Sequence, residues 1–181
     1  MNLVERVKAI LVTPKEEWQV IDTETGDANY LFTNYVAILA AVPAVCTFIG
    51  YTLSGRLGIG GALIFGIFIY VMHCGGWYVA GLVIDALAPT FGGRNNLPAA
   101  LKVSAYSATA SWLAGIFQLL PPLSWLSILG LYSLYLLYLG LPVLMKTPPE
   151  RALGYTAAVV VILIVLAVVV TLILGLIISP F

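Results

Sequence analysis

The chain has 181 residues, of which 61% are hydrophobic and 9% charged, with eight basic and eight acidic side chains and a formal net charge of zero. A soluble domain carries about 25% charged residues, so a water-soluble enzyme, a nucleic-acid binder and a disordered linker are excluded. With only two cysteines, so is a secreted disulfide scaffold. What remains is a small integral membrane protein.

The charges are concentrated at the start: Glu5, Arg6, Lys8, Lys15, Glu16, Glu17, Asp22, Glu24 and Asp27 all precede the first long apolar run. Leu3, Val4, Val7, Ile10 and Leu11 recur at helical spacing, which predicts an amphipathic helix lying on the inner leaflet. Charges interleave with these apolar positions, so the segment is not a signal peptide. Thr13-Pro14-Lys15-Glu16 predicts a second short helix, with Thr13 as cap, Pro14 at the first helical position and Glu16 completing a capping box. Trp18 and Ile21 are expected to face the lipid interface. The competing reading is that both helices pack on the bundle.

A transmembrane helix needs about 20 mostly apolar residues. Cutting at charges and at Pro/Gly clusters yields five spans, 31–53, 58–88, 99–120, 123–145 and 153–178. The runs are continuous rather than alternating, which excludes a β-barrel. The second is too long for one straight span, and its last turns are expected to project into the interface. Arg6, Lys8, Lys15, Arg94, Lys102, Lys146 and Arg151 fall on one side of this layout and only Arg56 on the other. The positive-inside rule then places the N-terminus in the cytoplasm and the C-terminus outside.

Two ionisable groups fall inside apolar segments. His73 lies near the middle of the second span, flanked by Tyr70 and Trp77, and is either an intramembrane switch or a neutral histidine packed among aromatics. Asp85 is twelve residues further on, about 18 Å along the axis and rotated by roughly 120°, so the two are not an acid–base pair. An ion pair from Asp85 to Arg94 or Lys102 would close the turn between the second and third spans. Read functionally, Asp85, Arg94, Asn95, Asn96 and Lys102 form a polar site on the cytoplasmic face.

The third span carries a stripe of small and polar residues, Ser104, Ser107, Ser111 and Gly115, suited to close helix packing or to a polar pathway. Pro43 and Pro142 predict kinks in the first and fourth spans. Tyr132, Tyr135 and Tyr138 make an aromatic face expected against the third span. Cys46 and Cys74 read as small apolar-buried residues. With one histidine they make no convincing metal site, and no motif implies a cofactor or a catalytic residue.

The order of features is itself informative. Val7-Lys8-Ala9-Ile10-Leu11-Val12-Thr13-Pro14-Lys15-Glu16-Glu17-Trp18 precedes the first span. Phe91-Gly92-Gly93 precedes Ala105-Tyr106-Ser107. Tyr132-Ser133-Leu134-Tyr135-Leu136-Leu137-Tyr138-Leu139-Gly140 leads to Thr147-Pro148-Pro149-Glu150-Arg151-Ala152. This ordered set resembles the Yip-domain family of five-span membrane proteins, in particular its short bacterial inner-membrane branch, over essentially the whole chain. The resemblance implies interfacial N-terminal helices over 1–30 and a five-helix transmembrane domain over 31–181. Eukaryotic relatives are associated with Rab GTPases. This chain lacks their long polar N-terminal region, so Rab binding is not carried over.

The expected protein is thus an all-α polytopic membrane bundle with an N-terminal amphipathic interfacial helix. Its expected role is a non-enzymatic membrane organiser or adaptor of the inner membrane, with lipids, other membrane proteins or further copies of itself as partners. The alternative is a small-solute or ion permease, proton-coupled through His73 or Asp85.

Overall fold

The computed structural model describes residues 2–25 and 27–178, and no strand occurs among them. In chain order the helices are α1 (Leu3–Val12), α2 (Pro14–Thr23), α3 (Ala28–Leu31), α4 (Ala37–Leu53), α5 (Ile59–Leu87), α6 (Leu97–Ser107), α7 (Thr109–Ala114), α8 (Tyr132–Leu144) and α9 (Pro149–Ile178). The predicted external C-terminus, 179–181, lies outside the described residues.

The all-α membrane class stands, but the count of five uninterrupted spans is corrected. Four helical runs are long and apolar enough to cross a membrane: Ala28–Leu53, Ile59–Phe91, Pro122–Leu144 and Pro149–Ile173. The predicted third span is divided. α6 ends at Ser107, α7 is short, and Gly115–Leu119 winds as a 3-10 helix. Local chemistry accounts for the break. Thr109 Oγ1 donates to the Tyr106 carbonyl and Ser111 Oγ to the Ala108 carbonyl, both at 2.8 Å. Hydroxyls bonded this way compete with the regular helical ladder. The predicted fourth span likewise begins as a 3-10 segment, Pro121–Leu131, before α8.

α3 and α4 are joined by a π-helical turn, Phe32–Val36, in which the Ala37 N–H reaches back to the Phe32 carbonyl. Nearby side chains again engage backbone oxygens: Thr33 Oγ1 donates to Asn29 and Asn34 Nδ2 to Tyr30, at 2.9 and 3.0 Å. Pro43 lies inside α4 and Pro142 inside α8. Gly115 lets the α7 segment close on Pro43: a Cβ there would lie 2.5 Å from Pro43 Cβ.

The N-terminal helices are amphipathic, as expected, but their apolar faces meet the bundle. Ile10, Trp18 and Ile21 are fully buried, which corrects the placement of Trp18 and Ile21 at the lipid interface. The reason is a matched surface. Gly140 on α8 leaves room for the Trp18 indole, and a Cβ at Gly140 would come within 2.7 Å of that ring. Trp18 also meets Tyr106 edge-on, with ring centroids 6.3 Å apart. Tyr132 Oη donates to the Leu11 carbonyl at 3.1 Å, so the tyrosine face of α8 serves α1 at this point, not the third span.

The caps also differ from expectation. Thr13 precedes α2 with Pro14 at its first position, but makes no side-chain cap and donates instead to the Ala9 carbonyl. The capping box belongs to α1, where Asn2 and Glu5 satisfy each other's backbone N–H. At the far end of the chain order, Tyr155 Oη donates to the Ile84 carbonyl and stacks on Phe91 at 5.0 Å, fastening α9 to the end of α5.

Candidate functional site

The polar chemistry of the described residues falls into two places. The first is the end of the bundle capped by α1 and α2. On α1, Arg6 is three residues after Leu3 and four before Ile10, so helical spacing turns it onto the buried face. It is 5% exposed. Its two terminal nitrogens donate separately, Nη1 to Glu17 Oε1 and Nη2 to Glu24 Oε1. Its Cζ lies 5.6 Å from the centroid of the Tyr106 ring. Burial alone would lower the guanidinium's pKa, but Tyr106, Glu24 and Glu17 together outweigh it and hold the pKa above its ordinary value. The sequence reading missed this triad, although the position of Arg6 on an otherwise apolar face was a signal for it.

Two clefts open beside the triad. One, of about 690 Å³, is walled by Arg6, Glu24, Asn34, Tyr35, Lys102 and Tyr106 among others. The other, of about 440 Å³, is walled by Asp22, Arg94, Asn95, Asn96, Lys102 and Lys146 among others. They share Glu24, Thr25 and Lys102. The π-helical turn contributes Asn34 and Tyr35 to the first cleft, and such turns are frequent at functional sites.

Of the proposed polar cluster, Arg94, Asn95, Asn96 and Lys102 line the second cleft, and Asp85 does not. Asp85 has a different role. It does not pair with Arg94 or Lys102. Its Oδ1 accepts the backbone N–H of Asn96 at 2.6 Å, and its carbonyl accepts from Asn95 Nδ2 at 2.6 Å. Asn96 in turn caps α6 through the Ala99 N–H. Asp85 therefore holds the turn from behind, its carboxylate through one backbone N–H and its carbonyl through one side-chain amide.

Lys102 is drawn elsewhere. Its Nζ donates to the carbonyls of Ile21 (3.3 Å) and Glu24, at the C-terminal end of α2. Those oxygens carry the negative end of the helix dipole. Lys146, held in the left-handed region at φ 56°, reaches back to Asp22 Oδ2 at 2.7 Å. Two cations of the second cleft, Arg94 and Lys102, have no carboxylate partner among the described residues.

The second place is mid-bundle, around His73. Its Nδ1 accepts the Trp112 indole N–H at 3.2 Å. The aromatic that hydrogen-bonds His73 is therefore Trp112 and not its helix neighbour Trp77, whose Nε1 is committed to the Leu101 carbonyl at 3.0 Å. Trp112 comes from the divided third segment, whose break at Ala108 resets the helix phase, so helical spacing could not place it.

The small-residue stripe splits by function. Ser104 Oγ donates to the Trp77 carbonyl at 2.8 Å, joining α6 to α5. The Ser111 N–H donates to Ser133 Oγ at 3.0 Å, joining α7 to α8. Gly115 provides the approach to Pro43 already described. Ser107 is buried, and its hydroxyl has no partner among the described residues. No group of three or more His, Cys, Asp or Glu side chains that could hold a metal ion occurs among the described residues.

The sequence as a whole matches the family model described as the Yip1 domain over residues 8–171. The chain belongs to the Yip1 domain family. It is similar to the inner membrane protein YohC of Escherichia coli K12, with 31% identity over 163 residues, covering 82% of this chain and 83% of that one. YohC of a second Escherichia coli strain, CFT073, is similar to the same extent. No solved structure matches.

Proposed function

We propose that this Yip1-family protein is a non-enzymatic, multi-pass inner-membrane organiser or adaptor that works through the α1–α2 end of the bundle. The observation that carries the reading is the pair of adjoining clefts sharing Glu24, Thr25 and Lys102. Their walls include Arg94 and Lys102, which form no salt bridge to a described carboxylate, Asp22 and Glu24 acting on Lys102 only at longer range. Cations near a membrane surface attract anionic headgroups and the acidic faces of neighbouring proteins. The similarity to a named inner membrane protein supports that location.

The same clefts support a cytoplasmic N-terminus. Arg6, Arg94, Lys102 and Lys146 all line them, whereas Arg56 sits over the Tyr51 ring beyond the far end of α4. A reporter active only outside the cytoplasm should be silent when fused after Arg94.

The docking reading is tested by placing a photo-crosslinking residue at Asn95 in the full chain, in its native membrane. Lipid or protein adducts should form there and fall when Lys102 and Arg94 are replaced by Gln. Adducts no more frequent than from lipid-facing Ile164 would defeat it.

A second reading, a small-solute or ion permease, is favoured by one observation: cavities lie on either side of His73. Solute or proton flux in proteoliposomes that is lost in His73→Leu would establish it over the organiser.

A further inference from the structure

Two cavities meet at His73. The first, of about 250 Å³, lies among α5, α6, α7, α8 and α9; its wall is mostly apolar, with His73, Ser104, Ser107, Ser111 and Ser133 as its polar residues. The second, of about 300 Å³, extends towards the end of α4 that carries Tyr51, with Thr47, Gln118 and Ser127 on its wall. His73 and Ser111 line both.

Gln118 Nε2 donates to Ser127 Oγ at 3.1 Å, which leaves the Gln118 carbonyl and the Ser127 proton free to bond, and several other polar groups here also have hydrogen-bonding capacity to spare. Ser107 is 5% exposed, and its buried hydroxyl has no partner among the described residues. His73 Nδ1 is occupied by the Trp112 N–H, so in the neutral ring the proton sits on Nε2. That N–H also has no partner among the described residues. Ser133 Oγ accepts from the Ser111 backbone and keeps its own proton to donate. The contrast with Ser104, whose hydroxyl is satisfied by Trp77, is local: one helical turn separates them. A cavity with several polar partners and more room than one water molecule needs is a site for water.

We propose that both cavities are hydrated and form a water-filled half-channel, entered from the Tyr51 end of the bundle and closed towards the clefts. The ligand is water, held by Thr47, Gln118 and Ser127 near the mouth and by His73, Ser111 and Ser107 at mid-bundle. The His73–Trp112 pair stands at the junction of the two chambers. This inference is independent of the docking reading, whose test lies at Asn95 on the opposite end. It also does not require flux, because a half-channel can be hydrated without conducting.

The deciding experiment is hydroxyl-radical footprinting of the wild-type chain in lipid nanodiscs, with isotopically labelled water as the source of the added oxygen. His73 and Trp112 should incorporate label well above Phe68, which lies exposed on the same helix as His73. Labelling of His73 and Trp112 no greater than that of Phe68 would overturn the proposal. The route is read separately with Ser111→Cys in a Cys46→Ala, Cys74→Ala background. A charged thiol reagent added at the Tyr51 side should react about ten-fold faster than with Ile164→Cys, since only the hydrated thiolate is nucleophilic. Equal rates, or reaction from the cleft side alone, would refute entry by this route.

Discussion

Arg6 and His73 are both polar side chains turned into an apolar interior, and their surroundings treat them in opposite ways. Each end of the Arg6 guanidinium finds its own carboxylate, and the ring of Tyr106 covers the group. At His73 one nitrogen is bonded, while the other, like the neighbouring Ser107 hydroxyl, has no partner among the described residues. A buried polar network that is fully satisfied rigidifies its surroundings. One left partly open retains bonds for something that is not protein. The difference separates a structural clasp, which fastens α1 to α2 and both to the bundle, from a site with unused capacity.

The largest effect should come from breaking the clasp. Arg6→Ala leaves Glu17, itself 6% exposed, as an uncompensated buried charge. Removing one partner of a buried pair costs about 3–5 kcal/mol. Chemical unfolding in detergent should show a loss of this size. Replacing Arg6 and Glu17 together by Leu should recover much of it. If Arg6→Ala were neutral, the contrast with His73 would collapse.

Close packing comes next. In Gly115→Ala the new methyl would sit 2.5 Å from Pro43 Cβ and 2.8 Å from Pro43 Cα, atoms of a rigid ring and backbone that give little. Overpacking of this kind costs about 1–3 kcal/mol. A lowered unfolding midpoint, with the α1–α2 cap still protected from proteolysis, is the expected result. A cap lost at the same time would show that the two regions are not independent.

Asp85 sharpens the comparison from a third position. Asp85→Ala removes the acceptor for the exposed Asn96 N–H, which water can then bond, at a cost of about 0.5–1.5 kcal/mol. Asp85→Asn keeps an acceptor oxygen and should cost less. The turn geometry can be followed by crosslinking across α5 and α6. An Asp85→Asn loss as large as that of Asp85→Ala would mean that its charge, not its geometry, is what matters.

The smallest effect is the most specific. Ser104→Ala deletes a 2.8 Å hydrogen bond to Trp77 and should cost about 1 kcal/mol. Ser107→Ala deletes a hydroxyl with no described protein partner and should cost less than Ser104→Ala in the same thermal unfolding assay. The reverse order would place Ser107 with the satisfied groups and remove the main contrast at mid-bundle.

Much of this protein could be read along the chain. Apolar runs between sparse charges disclosed the membrane class and four of the long helices, because the length and hydropathy of a span are local properties. The amphipathic pattern of α1 and the placing of Pro14 at the start of α2 were legible for the same reason. Other features were not. Lys102 serves the end of α2, some eighty positions earlier in the chain. Trp18 is buried only because Gly140 lies opposite it. The third span is divided because two hydroxyl-bearing residues near Ala108, Thr109 and Ser111, bond locally, a competition that hydropathy does not register.

The sequence by itself determined the solvent for this chain: with so few charges, only a bilayer accommodates its surface, and a helix is the form in which each such segment satisfies its own backbone. It also determined which end of the bundle collects positive charge. The tertiary structure decided which polar groups are spent and which are spare. Arg6 and Asp85 are spent, the first on two carboxylates and the second on the Asn96 backbone N–H. Ser107 and one edge of His73 are spare. The physical reason is that a hydrogen bond depends on the distance and direction between groups far apart in the chain, and only folding sets those.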